Sequence, residues 1–103
     1  FVYAGLVNKN MPGGEAFGFY VKYNKNELPK FTQWKMNGTR EYVVGLEPAN
    51  CWVEGRAKER ERGTLQFLEP GETREYHLEI GVLTNAKEVA EFEALVESIK
   101  AQA

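Results

Sequence analysis

The stretch AFGFYVKY, residues 16–23, decides the fold class: Phe17, Phe19, Val21 and Tyr23 recur at every second position, with Gly18, Tyr20 and Lys22 between them. Alternation of period two sends successive side chains to opposite faces of a sheet. Upstream, Val2, Ala4 and Leu6 alternate with Tyr3, Gly5 and Val7 until NMPGG at 10–14 supplies turn residues, so a second strand precedes the first. Downstream, NKNELP turns the chain. KFTQWKM at 30–36 then runs through NGTR into EYVVGLE, which reads as an antiparallel pair. TLQFLE from Thr64 is expected to form a further strand, and Pro70-Gly71 a turn. In 73–83, Tyr76, Leu78, Ile80 and Val82 are expected on a buried face, with Glu75, His77, Glu79 and Gly81 on a wet one.

The last segment changes period. Asn85 stands as an N-cap with Glu88 three residues later, and Val89, Phe92, Val96 and Ile99 recur at helical spacing, widened by Leu95. One amphipathic helix over about 86–101 is expected to pack on the sheet. No internal repeat is visible.

Composition narrows the function classes. The chain has 103 residues, enough for one domain with a small core, and carries 13 Lys+Arg against 15 Asp+Glu, for a formal net charge of −2. Such a balance gives no electrostatic footprint for nucleic acid or an anionic membrane surface. Every acidic residue is Glu. The Asp-rich loops that suit calcium are therefore missing, and the sequence gives no reason to expect a metal or any other cofactor. Cys51 is the only cysteine, so neither an intrachain disulfide nor a cysteine pair for zinc can form, and a reducing cytoplasm is the expected setting. Cys51 is expected to be a small buried hydrophobe beside Trp52. No signal peptide and no apolar run of about 20 residues is present. Residues 54–62, EGRAKERER, read as a solvated loop or a short exposed helical turn.

GLEPANCW at 45–52 carries the clearest chemical signal. It places Glu47 after an apolar run and directly before Pro48, where a sheet is expected to open into a loop. With LPKFTQWK before it and LEPGETREYHLEIGVL at 68–83 after it, the chain resembles the C-terminal part of the aldose 1-epimerase (galactose mutarotase-like) proteins. The likeness is to an uncharacterised bacterial branch and runs from about LVNKNMPGG to the final helix.

That resemblance implies a mainly β protein: an antiparallel β-sandwich, the C-terminal portion of a galactose mutarotase-like supersandwich, with one C-terminal amphipathic α-helix. Residues 1–103 would be a single domain or a fragment of a larger sandwich. It also implies a small-molecule sugar as partner and Glu47 as the general base that takes the anomeric hydroxyl proton, the family's histidine acid lying earlier in the chain. His77, between Glu75 and Glu79 on the polar face, is read as an exposed residue without that role. Trp34 would offer a face for sugar stacking, with Lys35, Arg40, Asn50 and Arg56 donating to hydroxyls and Trp52 a weaker aromatic candidate. A carbohydrate-binding module without catalysis and a supporting β-rich piece are the alternatives. The chain opens in an apolar pattern without an initiator Met. An upstream segment, or self-association through exposed sheet surface, is the expected way to cover its apolar strands.

Overall fold

The computed structural model describes residues 1–102 and is mainly β, with five strands in two antiparallel sheets, two short helical segments and a long C-terminal helix. The chain divides into two compact units, residues 1–23 with 78–103 and residues 24–77.

The first unit holds the three-stranded sheet β1–β2–β5, formed by β1 (Val2–Asn8), β2 (Phe17–Tyr23) and β5 (Leu78–Leu83), and the helix Ala86–Gln102. A single-turn 3₁₀ segment at Pro12–Gly14 joins β1 to β2. The register pairs Gly5 with Tyr20 and Tyr20 with Gly81, so one face carries Tyr3, Gly5, Tyr20, Lys22, Glu79, Gly81 and Leu83. The C-terminal helix lies on that face. Phe92 stacks on Tyr20 at 5.4 Å between centroids and meets Tyr3 edge-on at 6.0 Å, beside a small core of Ala16, Leu83 and Val89.

The glycines explain this choice of face. A Cβ at Gly81 would lie 2.3 Å from the Tyr20 ring, and one at Gly5 would lie 2.7 Å from Phe92. Their missing side chains form the trough in which both rings lie flat. The expected burial of β5 is accordingly reversed. Leu83 is buried and Gly81 half-buried, whereas Leu78, Ile80 and Val82 are 49%, 80% and 55% exposed. Apolar character put these three on the inner face, but room for Tyr20 and the helix decides which face is covered.

The helix begins as its sequence indicates, with a modification. Asn85 Oδ1 accepts from the Glu88 amide at 2.9 Å, but Glu88 reaches past Asn85 to the Thr84 amide at 2.7 Å and hydroxyl at 2.6 Å. These bonds, the Thr84 hydroxyl first, hold the Glu88 carboxyl below its ordinary pKa. At the opposite flank Lys9 Nζ bridges both Glu93 oxygens, at 2.8 and 3.1 Å.

The second unit is built on a hairpin of β3 (Lys30–Gly38) and β4 (Glu41–Ala49), followed by a helix of under two turns, α1 (Arg56–Arg62). We number the C-terminal helix α2. β4 does not end at Glu47 as expected. It continues through Pro48, which pairs with Phe31, because in a two-stranded sheet each strand has one open edge on which a missing N–H costs no ladder bond. Two further expectations fail here. Residues 64–69 form no strand, and the final strand starts at Leu78 rather than 73, leaving Phe67 and Leu68 64% and 59% exposed. Arg74 instead binds this segment by donating to the Phe67 carbonyl at 2.7 Å and to Gln66 Oε1, side-chain bonds that occupy the backbone in place of a ladder. Cys51 is exposed rather than buried, since it lies in a bend beyond the end of β4. Among the described residues no helix is long and apolar enough to cross a membrane.

Candidate functional site

The hairpin register sorts the candidate residues before any chemistry is invoked. Directly opposed residues of an antiparallel pair share a face. Thr32 opposes Glu47, Trp34 opposes Gly45 and Lys30 opposes Ala49, so Lys30, Thr32, Trp34 and Glu47 lie on one face. Trp34 and Glu47 are diagonal neighbours there, an arrangement that separates Cα atoms by about 7–8 Å. Glu47 bends toward the tryptophan's partner position: a Cβ at Gly45 would lie 3.3 Å from its carboxylate. Both side chains are open to solvent, Trp34 at 51%. Trp34 is thus half open to solvent and not among the buried residues of this unit.

Trp52 is brought to the same neighbourhood by Lys30, whose Nζ sits 4.8 Å from the centroid of the indole ring. Its backbone is fixed by an unexpected residue. The charged run forms the short exposed helix expected of it except at Glu59, which is 2% exposed. Its carboxylate accepts from the Trp52 amide and the Thr64 hydroxyl. Those bonds, the threonine's first, hold its pKa below the ordinary 4.5 against the opposing effect of burial, with Arg62 and Lys30 adding positive charge. Gly63, at φ 73°, ends α1 in the left-handed conformation and lets the chain fold back so that the Thr64 and Leu65 amides donate to the Glu59 carbonyl at 3.0 and 3.2 Å. The available signal in the sequence was a Glu framed by Gly55 and Gly63, with Thr64 just beyond.

The remaining candidates are dispersed. Lys35 opposes Val44 on the other face of the hairpin. Arg40 occupies the turn with φ 66°, and about 20 Å of extended strand separates it from Glu47. Asn50 donates to Gln66 Oε1 at 3.4 Å, and Arg56 opens α1 in solvent. Of the six candidates, therefore, Glu47 and Trp34 are brought together, Lys35 and Arg40 are separated from them, Asn50 belongs to a different network and Arg56 stands in solvent at the start of α1.

His77 is exposed, as read, but it is not without a partner. Its backbone amide donates to Glu27 Oε1 at 2.7 Å and its Nδ1 lies 2.8 Å from Oε2. The hydrogen bond between the two groups raises the imidazole above its ordinary 6.5 and lowers the carboxyl below 4.5, so the pair is ionic across and beyond that interval.

A low-pH melt series tests the Glu59 anchor. A depressed carboxyl stabilises the folded state fully above its unfolded pKa and loses that contribution as pH falls through the folded value. Wild type is expected to melt above Glu59→Gln at pH 7, with the difference shrinking below about 4.5. A difference constant down to pH 3 would show that the carboxylate's charge does not matter.

The sequence model of the domain of unknown function DUF4432 matches residues 2–82, and the chain belongs to that family. No curated protein and no solved structure matches the chain.

Proposed function

We propose that the exposed face of the β3–β4 hairpin is part of a carbohydrate site in an aldose 1-epimerase-like protein, with Glu47 as general base and Trp34 as the stacking platform. The observation that supports this reading most is the shared face of Glu47 and Trp34, a carboxylate beside an open indole ring. Sugar recognition needs both an apolar face for ring C–H groups and an acceptor for hydroxyl protons. Lys30, held against Trp52, adds a donor at the end of the same face.

In the epimerase reaction a base takes the anomeric hydroxyl proton while an acid protonates the ring oxygen; the ring opens, the aldehyde rotates, and closure from the other side gives the other anomer. Glu47 supplies the first of these groups. The only histidine, His77, is engaged by Glu27, and we assign the acid to a residue outside this chain. The apolar face of β5 is then covered by further strands of the same sandwich or by a second copy.

A non-catalytic carbohydrate-binding module is the second reading, favoured by the exposure of Glu47, because a general base works best when partial desolvation raises its pKa. NMR exchange between α and β anomers of galactose and glucose, measured on protein that also carries the acid, separates the two. Accelerated exchange supports the enzyme, saturable binding without acceleration supports the module, and neither overturns the site. In the binding assay Trp34→Ala is expected to weaken sugar affinity by about 1–3 kcal/mol with little change in melting temperature. Unaltered affinity with a large fall in melting temperature would return Trp34 to a structural role.

A further inference from the structure

A polar cleft of about 220 Å³ opens in the second unit, lined by Asn26, Glu27, Gln66, Arg74, Glu75 and Tyr76, none of them a residue of the Glu47–Trp34 face. We propose that it is a separate binding site for a neutral cyclic polyol, a monosaccharide or a cyclitol.

Three properties of the walls carry the assignment. The first is charge. Arg74 stands among Glu27 and Glu75, and Glu27 is paired with His77, so the wall carries no surplus of positive charge to attract an anion. The second is donor and acceptor density. Arg74 uses its guanidinium to hold Gln66 Oε1 and the Phe67 carbonyl, and Asn50 donates to the same Gln66 oxygen. Glu27 is fixed by two contacts with His77. Arg carries five N–H donors, of which these bonds occupy two, and the Gln66 and Asn26 amides and the Glu75 carboxylate add further donors and acceptors to the wall. Planar groups that both donate and accept, already held in place, match a ring whose hydroxyls do the same. The third is an apolar surface: Tyr76 is 41% exposed at the wall, giving C–H groups of such a ring a face to lie on. The volume lies below the roughly 300–1,000 Å³ of sites for drug-sized ligands, which limits the occupant to one ring.

The test is isothermal titration of the full chain carrying Trp34→Ala and Glu47→Gln, so that binding at the hairpin face is weakened and the cleft variants report on the cleft. D-galactose, D-glucose and myo-inositol serve as neutral probes, with inorganic phosphate and D-glucuronate as anionic ones. Saturable binding of at least one neutral probe is expected, weakened about tenfold or more by Arg74→Gln and by Tyr76→Ala. A far-ultraviolet melt of each variant identifies any that fails to fold, and the other then decides. Binding of galactose or glucose but not inositol assigns a saccharide, and the converse a cyclitol; either supports the cleft. No saturable binding of a neutral probe, tighter binding of phosphate or glucuronate, or neutral binding indifferent to the cleft variants overturns it. The hairpin proposal fails separately, through unchanged affinity in Trp34→Ala alone.

Discussion

In protein that also carries the acid, Glu47→Gln is expected to slow anomer exchange by roughly 10²-fold or more while leaving sugar contact and folding intact. The amide keeps the size and shape of the carboxylate but cannot take up a proton at neutral pH. Because the side chain is exposed and bends over the empty position at Gly45, the change strains no packed neighbour, so a kinetic effect separates cleanly from a structural one. The thermal transition of the variant is expected to stay with that of wild type. Exchange kinetics unchanged in Glu47→Gln would remove the residue from the mechanism. A chain that no longer folds would instead assign Glu47 to holding the β4 strand. The position immediately before Pro48 favours the kinetic outcome: the proline fixes the local backbone without help from the glutamate side chain.

Strand periodicity, hairpin pairing and the final helix were all legible in the sequence, because each depends on a repeat that local side-chain direction imposes. AFGFYVKY and VYAGLVN became adjacent strands, KFTQWKM paired with EYVVGLE, and α2 formed with Val89 buried and Phe92, Val96 and Ile99 half-buried, while Leu95 stays exposed. The family match extends from β1 into β5. What was not legible depends on tertiary choice. Ile80 lies on the more apolar side of β5 yet is open, because burial went to the side where glycines leave space for rings. Glu59 is a charged residue among charged residues, and only the return of the chain at Gly63 brings the Thr64 hydroxyl to it. His77 was correctly read as exposed, but its pairing with Glu27, fifty positions away, has no local signature. At the candidate site, alternation alone places Trp34 and Lys35 on opposite faces, while the partnership of Trp34 with Glu47 required the register.

The largest structural effect is expected at Gly81. The Cβ introduced by Gly81→Ala would lie 2.3 Å from two Tyr20 ring carbons and 2.4 Å from its hydroxyl oxygen, distances no side chain tolerates. The ring must leave. In leaving it gives up its stacking on Phe92, its contact with Tyr3 at 5.9 Å and its 2.8 Å hydrogen bond to Glu79. Overpacking of this kind costs about 1–3 kcal/mol, and the lost aromatic contacts add about 1 kcal/mol more. For a chain of this size that predicts a fall in melting temperature of roughly 10 °C or more. Gly38→Ala is the matched control, since its new Cβ would find the nearest atom at 3.7 Å, an ordinary contact. The decisive comparison is the double variant Tyr20→Leu with Gly81→Ala. Once the ring is absent the added methyl has nothing to strike, so the two costs are expected to be strongly non-additive, with Gly81→Ala nearly neutral in the Tyr20→Leu background. Additive costs would show that Gly81 matters for backbone freedom rather than for the room it leaves, and that the packing of α2 on this sheet does not rest on Tyr20.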